Sequence, residues 1–284
     1  MTAALRKRGL DWLLNGYAGL ALLYLLLPIG VIILFSFNDP VGRFNFIWNE
    51  FSLDAWKHPF AVQGVQDALK TSIQIAALST LIATALGTLT ALALVRYEFK
   101  GRAPVNFFIF IPLATPEVVL GAALLSQFLN WGTPALGFAT ILIAHVMFNL
   151  SFVVITVRSR LIGFDRSLEE AAQDLGATPW ETFRLVTLPL IMPGVLSAAL
   201  LAFALSIDDF VITNFNSGST ITFPLFIWGA ARVAVPPQIY VIATMIFLVT
   251  VAAMILTVWQ QRRAEKLAAV RPDDAEVVLE PAPA

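Results

Sequence analysis

The stretch SLEEAAQDLGATPWETFRLVTLP, residues 167–189, decides how this chain is interpreted, because it predicts a pair of capped helices inside a very apolar protein. Ser167 and Glu170 have the spacing of a capping box, in which each side chain satisfies a free amide at the helix start. Gly176 stands where a helix begun there should end, since glycine adopts the left-handed conformation that closes many helices. We therefore predict a short helix at about 168–175.

A second short helix is predicted directly after this turn. Thr178 and Glu181 repeat the capping-box spacing, and Pro179 occupies the favoured first helical position, so the helix should cover about 179–187. The first helix has a face of small and apolar side chains at spacings of three and four residues, made of Leu168, Ala171, Ala172 and Leu175. Small side chains let another surface approach closely, which is typical of a docking element. The alternative is a hairpin that only caps a helical bundle.

Composition places the chain in a membrane. Of its 284 residues 58% are hydrophobic and only 13% are charged, and the mean hydropathy is +0.79. A soluble domain usually carries about 25% charged residues. The net charge of −1 argues against a nucleic-acid partner. Without cysteine, and with only His58 and His145 as histidines, the sequence offers no thiolate metal site and little material for zinc or triad chemistry, so we expect no metal site and no catalytic residues.

Six apolar segments are each about as long as the ~20 residues that a membrane-crossing helix needs. They lie near 17–37, 69–95, 106–129, 137–157, 191–213 and 239–259. We therefore expect an all-α polytopic protein with six transmembrane helices, formed by residues 17–260. The first segment is too long for a signal peptide and has no following cleavage site, so it should be a retained anchor. The tail, residues 261–284, ends in the acidic and proline-rich stretch VRPDDAEVVLEPAPA (270–284) and is expected to be disordered.

The distribution of Lys and Arg predicts the orientation of these segments. If the segments alternate in direction, fourteen of the eighteen basic residues fall on one side and four on the other. Because short cytoplasmic loops carry the excess of Lys and Arg, both termini should be cytoplasmic, including residues 1–16. The loop at 158–190 should then be the longest cytoplasmic loop.

The stretch 170–189 also resembles the EAA motif of ABC-importer permeases, which is Glu-Ala-Ala, three residues, Gly, nine residues, a branched apolar residue, one residue and Leu-Pro. The matching residues are Glu170, Ala171, Ala172, Gly176, Leu188 and Pro189, with Val186 where the family usually has Ile. The resemblance implies the type I ABC-importer permease fold, a core of six helices with cytoplasmic termini. It also implies that the 158–190 loop couples to a cytoplasmic ATPase. The chain has no G-x-x-x-x-G-K-[ST] phosphate loop. ATP and Mg²⁺ are therefore expected on that partner, and this chain should be a transport subunit and not an enzyme.

Three carboxylates fall inside the predicted spans. Asp208 and Asp209 are adjacent in the fifth segment, although a carboxylate at the centre of a bilayer costs at least ~2.5–3.5 kcal/mol on insertion scales. Neighbouring residues of a helix point about 100° apart. We expect one of the pair to face a substrate pathway and the other to be paired, to cap a helix or to face a subunit interface. Glu117 lies between prolines in the third segment, where a kinked helix would present it to a cavity. The alternative for Glu117 is an ion pair with a neighbouring helix.

This acidic pathway, with almost no Lys or Arg at membrane depth, favours a cationic substrate. Among the aromatic residues near the outer ends, Trp228 is the candidate for a cation–π contact, whereas most of the others fit an ordinary interfacial belt. The stretches LSIDDFVITNF (205–215), RSRLIGFDRSLEEAAQDLGA (158–177) and TPEVVLGAALL (115–125) resemble the spermidine/putrescine branch of the permease family. That branch carries an acidic pair at the position of Asp208–Asp209 and an acidic residue after proline at the position of Glu117.

The resemblance implies an alternating-access importer in the bacterial inner membrane. Its expected partners are two copies of an ATP-binding subunit, a second homologous permease chain, an extracytoplasmic substrate-binding protein and membrane lipid. Two other functions stay open: a permease for another solute, such as iron(III) or a cationic amino-acid derivative, and a stand-alone membrane channel or enzyme.

Overall fold

The computed structural model describes residues 2–132, 135–163 and 165–269, and helices dominate these ranges. The helices in chain order are α1 Thr2–Phe35, α2 Asp54–Lys57, α3 Val65–Arg96, α4 Arg102–Ala114, α5 Glu117–Asn130, α6 Phe138–Ile162, α7 Ser167–Asp174, α8 Pro179–Thr182, α9 Leu188–Ile207, α10 Val211–Asn216, α11 Phe223–Val233 and α12 Pro237–Ala269. A π-helical turn, Phe183–Thr187, joins α8 to α9. Two short strands, β1 Asn38–Asp39 and β2 Glu50–Phe51, form an antiparallel hairpin. The all-α fold class is thereby confirmed.

The chain divides into two compact units, and the first contains α1, the β-hairpin, α2 and α12. Polar contacts order its irregular part: the Asn38 side-chain amide donates to Asn45 Oδ1 at 2.6 Å and to the Ile47 carbonyl at 2.9 Å. The Tyr240 hydroxyl of α12 donates to the carbonyl of Asn45 at 3.1 Å. Helix α1 is apolar, yet none of the residues in its most hydrophobic stretch is buried. Such a helix needs lipid or another protein around it.

The second unit, Gln63–Arg232, has α3, α6 and α9 as its packed centre. Small residues allow these helices to approach closely, as is usual in membrane bundles. A Cβ added at Gly87 of α3 would lie 2.6 Å from Val153 Cγ1 of α6, so only glycine fits at that crossing. The buried core between the three helices includes Ala83, Ala91, Leu94, Val153, Val157, Ile191, Ala198 and Ala202.

In the described part of the chain, four helices are long and apolar enough to cross a membrane, and a bent pair would make a fifth span. The four are Trp12–Phe35, Val65–Arg96, Phe138–Ile162 and Pro179–Ile207, and the bent pair is α4 with α5. These match five of the six expected segments. The expected sixth, 239–259, lies in α12, where Pro237–Ala252 forms a shorter apolar helix among the described residues. The six-span count therefore stays a prediction.

Two expected segments are interrupted. The segment predicted at 106–129 is broken after Ala114, and α4 and α5 meet at 113°. Pro116 explains the break, because proline has no amide hydrogen and disfavours helical geometry at the residue before it. The segment predicted at 191–213 ends as a helix at Ile207 and resumes at Val211, where α10 begins.

The loop helices also differ in part from expectation. Helix α7 begins at Ser167, but the Ser167 side chain forms no cap. Its amide instead donates to Asp165 Oδ1 at 3.0 Å, a backbone hydrogen bond that lowers the pKa of the Asp165 carboxyl. The helix predicted at 179–187 is not separate, because α8 continues through the π-helical turn into α9. Residues 261–269, expected in the disordered tail, continue α12 as helix, and the rest of the tail lies outside the described residues.

Candidate functional site

The interruption between α9 and α10 places the acidic pair at a break in a long apolar helix. Helix α9 ends at Ile207, and the next helical turn starts at Val211. A break of this kind leaves backbone amides and carbonyls without helical partners. At membrane depth such backbone is tolerated only where it is buried in protein or lines a cavity. The residues between the two helices, Asp208 to Phe210, are therefore candidates for a pathway.

Asp209 is the internal member of the pair. Its Oδ2 accepts hydrogen bonds from the Thr213 amide at 2.8 Å and from the Thr213 hydroxyl at 2.7 Å, and its Oδ1 lies 3.4 Å from the Ile212 amide. These amides belong to the first turn of α10, so the carboxylate caps that helix. The same Oδ2 lies 3.2 Å from His145 Nε2, and the side chains of His145 and Asp209 are 3% and 6% exposed. Asp209 is thus committed to contacts within the protein.

His145 of α6 is the centre of a buried polar network that sequence reasoning missed. Its Nδ1 lies 2.7 Å from Ser206 Oγ in the last turn of α9, and its Nε2 lies 2.9 Å from Thr213 Oγ1. Ser206 Oγ in turn lies 3.0 Å from Ser79 Oγ of α3. A lone histidine in an otherwise apolar segment was the available signal, but without a second histidine near it in sequence it indicates no zinc or triad site.

Asp208 differs from its neighbour in exposure and in hydrogen bonding. It directly follows the last residue of α9 and has an exposed side chain, and among the described residues no side chain donates a hydrogen bond to its carboxylate. Sequence alone left open which member of the pair is internal. The structure makes Asp209 internal and leaves Asp208 exposed at the break.

Glu117 lies at the other interruption. It is the first residue of α5, directly after Pro116, and its side chain is exposed. One turn later, Gly121 packs against α10: an added Cβ would lie 2.7 Å from Phe215 Cδ2. The start of α5 therefore packs on the short helix that Asp209 caps, so the two broken segments meet in the same unit. The ion pair considered for Glu117 is absent from the described residues.

Trp228 lies beside the α9–α10 interruption. Its ring is paired with that of Phe210, the residue after the acidic pair, with ring centroids 5.0 Å apart. The Arg232 guanidinium carbon lies 4.9 Å from the centre of the Trp228 ring, a cation–π arrangement one turn along α11. One cation thus already lies over this indole, although about half of the Trp228 side chain is exposed.

The 158–190 loop exposes the face predicted to dock. No residue of α7 is buried, and Leu175 at its end is 90% exposed. Gly176 has a φ of +89°, and the amide of Ala177 donates to the carbonyl of Ala172 at 3.1 Å. The helix therefore ends with the left-handed glycine that the sequence predicts. The second cap is also present, since Thr178 and Glu181 exchange amide-to-side-chain hydrogen bonds.

Glu169 connects this loop to the long helices through hydrogen bonds. The Arg96 guanidinium at the end of α3 donates to both Glu169 oxygens, one of the contacts being 2.6 Å, and the Thr187 hydroxyl donates to Glu169 Oε1. Thr187 closes the π-helical turn, and Leu188 and Pro189 then open α9. Pro189 lacks the amide hydrogen that would continue regular α-helical bonding, which accounts for the widened turn before it.

Glu170 itself is exposed, as are Ala171 and Gly176, whereas Ala172 is partly buried. Three of the coupling residues that the resemblance implies are thus exposed on the loop, whereas Leu188 is partly buried and packs against the helical core. In the described ranges, no group of three or more His, Cys, Asp or Glu side chains could hold a metal ion.

Comparison with known proteins gives this architecture a family. The family model described as "Binding-protein-dependent transport system inner membrane component" matches residues 83–266. The chain is 36% identical over 247 residues to the spermidine/putrescine transport system permease protein PotC of Haemophilus influenzae, covering 87% of this chain and 95% of that protein. It is 37% identical over 250 residues to the putrescine transport system permease protein PotI of Escherichia coli K12, covering 86% of this chain and 88% of that protein.

Solved structures agree on the fold. A chain of a bacterial ABC transporter that imports the acidic polysaccharide alginate matches with a TM-score of 0.66 at 16% identity, covering 88% of this chain and 96% of that one. A chain of an amino acid ABC transporter with histidines matches with a TM-score of 0.54 at 19% identity, covering 70% of this chain and 93% of that one. At these identities the likeness establishes the fold alone.

Proposed function

The chain belongs to the family of binding-protein-dependent transport system inner membrane components, and on that premise we propose that it conducts polyamines through an ATP-driven importer. The family makes it a multi-pass inner-membrane permease subunit of an ABC transporter and not an enzyme. Putrescine and spermidine, the substrates in its relatives' names, are the ones we assign to it.

The observation that carries the substrate proposal is the unequal acidic pair. Because Asp209 is occupied by His145 and Thr213, it has little capacity left for a ligand. Asp208 is exposed at a break in the helix and is the carboxylate that can meet an ammonium group. Glu117 is exposed at the neighbouring break. Polyamines carry ammonium groups separated by methylene chains, so carboxylates on separate elements suit them better than one compact acidic cluster would.

Trp228 completes the proposed pathway. Its indole lies next to Phe210, and the Arg232 guanidinium lies over its face. A substrate ammonium group would replace that guanidinium, which makes Arg232 a competitor for the same surface. Each contact should be weak, because a carrier must release what it binds.

Coupling to ATP follows from the loop. ATP and Mg²⁺ are bound by two copies of a separate ATP-binding subunit, which receive the exposed face of α7 with Glu170, Ala171, Ala172 and Gly176. Movement of α7 reaches α3 through Arg96 and reaches the start of α9, at Leu188 and Pro189, through Thr187. Helix α9 ends at the break that carries Asp208, so loop movement and pathway opening are joined by one helix. A second permease chain and an extracytoplasmic binding protein complete the complex. In the proposed orientation both termini are cytoplasmic.

The test is uptake of labelled putrescine and spermidine in cells that lack this chain, complemented by wild type, Asp208→Asn or Asp209→Asn. Assembly with the ATP-binding subunit is measured by co-purification in every strain. We expect wild type to restore uptake, and Asp208→Asn to assemble normally while transporting poorly. Excess iron(III) chelate or a cationic amino acid should not compete. Polyamine uptake that wild type fails to restore, or that these solutes abolish, would overturn the substrate assignment while leaving the permease family intact.

A further inference from the structure

We infer that His145 is a positioning residue of the transport pathway, which holds the α9–α10 break in the shape that presents Asp208. The inference rests on the proposed function, because Asp208 matters only if it meets the substrate. It concerns a buried titratable side chain that the pathway itself does not use. No other side chain in the described ranges contacts both sides of this break by hydrogen bonds.

The geometry of the contacts carries the inference. His145 lies on α6 and reaches Ser206, one residue before α9 ends, and Thr213, in the first turn of α10. In an unbroken helix, residues seven apart are separated by about 10.5 Å along the axis. One imidazole hydrogen-bonded to both hydroxyls, at 2.7 and 2.9 Å, suits the interrupted chain and not a straight helix. The ring therefore acts as a clamp on the interruption.

The hydrogens in this network can be assigned by counting donors. The Thr213 hydroxyl has one hydrogen, which it donates to Asp209 Oδ2 at 2.7 Å, so towards His145 it can only accept. The hydrogen must therefore be on His145 Nε2, which donates to Thr213 Oγ1 and faces Asp209 Oδ2 at 3.2 Å. In the neutral ring, Nδ1 then accepts from the Ser206 hydroxyl. This assignment makes the Nε2 hydrogen the one that a replacement side chain has to reproduce.

Loss of the ring would remove one hydrogen-bond partner from each of two buried hydroxyls, which keep their contacts to Ser79 and Asp209. Ser206 is 5% exposed and Thr213 is fully buried, and both have hydroxyls directed at the imidazole. Losing hydrogen bonds between buried groups is costly, and the chain can relieve the cost by moving the break. Because Asp208 and Asp209 are adjacent, any rotation of the Asp209 cap also turns Asp208. The expected consequence is a misplaced carboxylate in a chain that still inserts and assembles.

Two replacements of His145 test whether the position of its hydrogen-bond donor matters, or only the presence of a polar side chain. His145→Gln keeps an amide hydrogen near the place of Nε2–H, whereas His145→Asn places its amide near Nδ1 and cannot reach Thr213. In the assembled complex we expect His145→Asn to raise the uptake KM for spermidine by more than ~fivefold and His145→Gln to stay within ~twofold of wild type, since only the latter keeps the required donor. Equal transport by both variants, whether normal or abolished, would overturn the inference.

A second readout works without any transported substrate. The chain contains no cysteine, so Asp208→Cys introduces a single thiol at the break. Its labelling rate with a charged thiol reagent is measured in the purified complex in three backgrounds: His145, His145→Gln and His145→Asn. Glu98→Cys, in the exposed loop between α3 and α4, is the control for general loosening.

We expect the His145→Asn background to change labelling at position 208 by more than ~threefold, with no change at position 98, and the Gln background to restore it. An unchanged rate at 208, or an equal change at both positions, would overturn the positioning role. Failure of wild type to move polyamines would instead refute the substrate assignment, and this labelling result would still decide the role of His145.

Discussion

Two pairs of adjacent acidic residues, one in the loop helix α7 and one at the α9–α10 break, divide their roles in the same way. In the loop, Glu169 is held by partners on other elements and Glu170 is exposed. At the break, Asp209 is held and Asp208 is exposed. In each pair one carboxylate fixes the local structure so that its neighbour projects from a defined position. In both pairs the two adjacent carboxylates therefore have different roles: one is structural, and the other is exposed.

The two pairs differ in what holds the internal member. Glu169 is bound by the Arg96 guanidinium, whose charge is permanent, and the two side chains are 13% and 17% exposed. Asp209 is bound by an imidazole, a hydroxyl and an amide at only 6% exposure. Burying a full ion pair carries a large desolvation penalty, which partial exposure relieves. The loop therefore uses an ion pair, whereas in the packed spans Asp209 is held by hydrogen bonds from a hydroxyl and an amide and by the neighbouring imidazole.

The largest effect is expected at Gly176, which lies just after the helix that carries the exposed member of the loop pair and is proposed to contact the ATP-binding subunit. With φ at +89° and no atom within 4 Å of an added Cβ, the position tolerates a side chain sterically but demands left-handed backbone. Asn and Asp both adopt that conformation more readily than most residues. Gly176→Asp should lower uptake more than ~tenfold because it adds charge to an apolar docking face. The matched control, Gly176→Asn, should transport well.

Uptake and membrane insertion are measured together for these two variants. If Gly176→Asn is as inactive as Gly176→Asp while both insert normally, the backbone and not the docking charge is at fault.

The second largest effect is expected when the ion pair between Arg96 and Glu169 is broken. Arg96→Gln removes the guanidinium and, within the described ranges, leaves Glu169 with only the Thr187 hydroxyl, a loss of about 1.5–3 kcal/mol for hydrogen bonds to a charged group. Uptake should fall while ATP hydrolysis by the complex persists, because α7 then moves without pulling α3. The measured quantity is the ratio of polyamine imported to ATP hydrolysed.

The exchange Arg96→Glu with Glu169→Arg is the control for that result. It should recover part of the coupling, since the ion pair is restored, but not all of it. An arginine at 169 has no acceptor for the Thr187 hydroxyl. If the Arg96→Gln complex keeps the wild-type ratio of polyamine imported to ATP hydrolysed, the ion pair does not couple α7 to α3.

Replacing Asp209 should lower the stability of the protein more than replacing Asp208. Asp209→Asn replaces a carboxylate that accepts from Thr213 and faces His145, so a mismatch of about 1–3 kcal/mol is expected in the buried network. Its thermal midpoint should fall, whereas that of Asp208→Asn should not change. Equal midpoints for the two variants would show that Asp208 and Asp209 do not differ in their contribution to stability.

Sequence predicted the loop better than the break, for a physical reason. The Thr178 cap and the Gly176 stop depend on residues three or four positions apart, so local spacing contains the information. Ser167 was predicted wrongly as a cap because the Asp165 carboxylate competes for its amide. Which aspartate is internal depends on His145, more than sixty residues away, and periodicity cannot identify such a partner.

The two interruptions illustrate the same limit. Prolines made a bend near Glu117 predictable, although its 113° angle was not. The break at 208–210 has no proline, and the apolar run 191–213 was predicted as continuous. The side chains that stabilise this break come from α6 and α10, so only tertiary structure reveals it. The π-helical turn before Pro189 was missed likewise, since a proline near a helix start normally fits there without distortion.

The smallest effect is expected at Arg232, which lies near the exposed member of the membrane pair, Asp208. Arg232 lies over Trp228, and Trp228 pairs with Phe210 beside Asp208, so a substrate ammonium group would have to displace a resident cation. In Arg232→Gln the substrate no longer has to displace the guanidinium, a cation–π contact worth about 0.5–1 kcal/mol at an exposed ring. The KM for polyamine uptake should therefore fall a few-fold. Trp228→Leu should cancel this gain, because no ring is left to uncover. A gain that persists in the Arg232→Gln, Trp228→Leu double variant would mean that Arg232 opposes the substrate through its charge near Asp208 and that the indole takes no part.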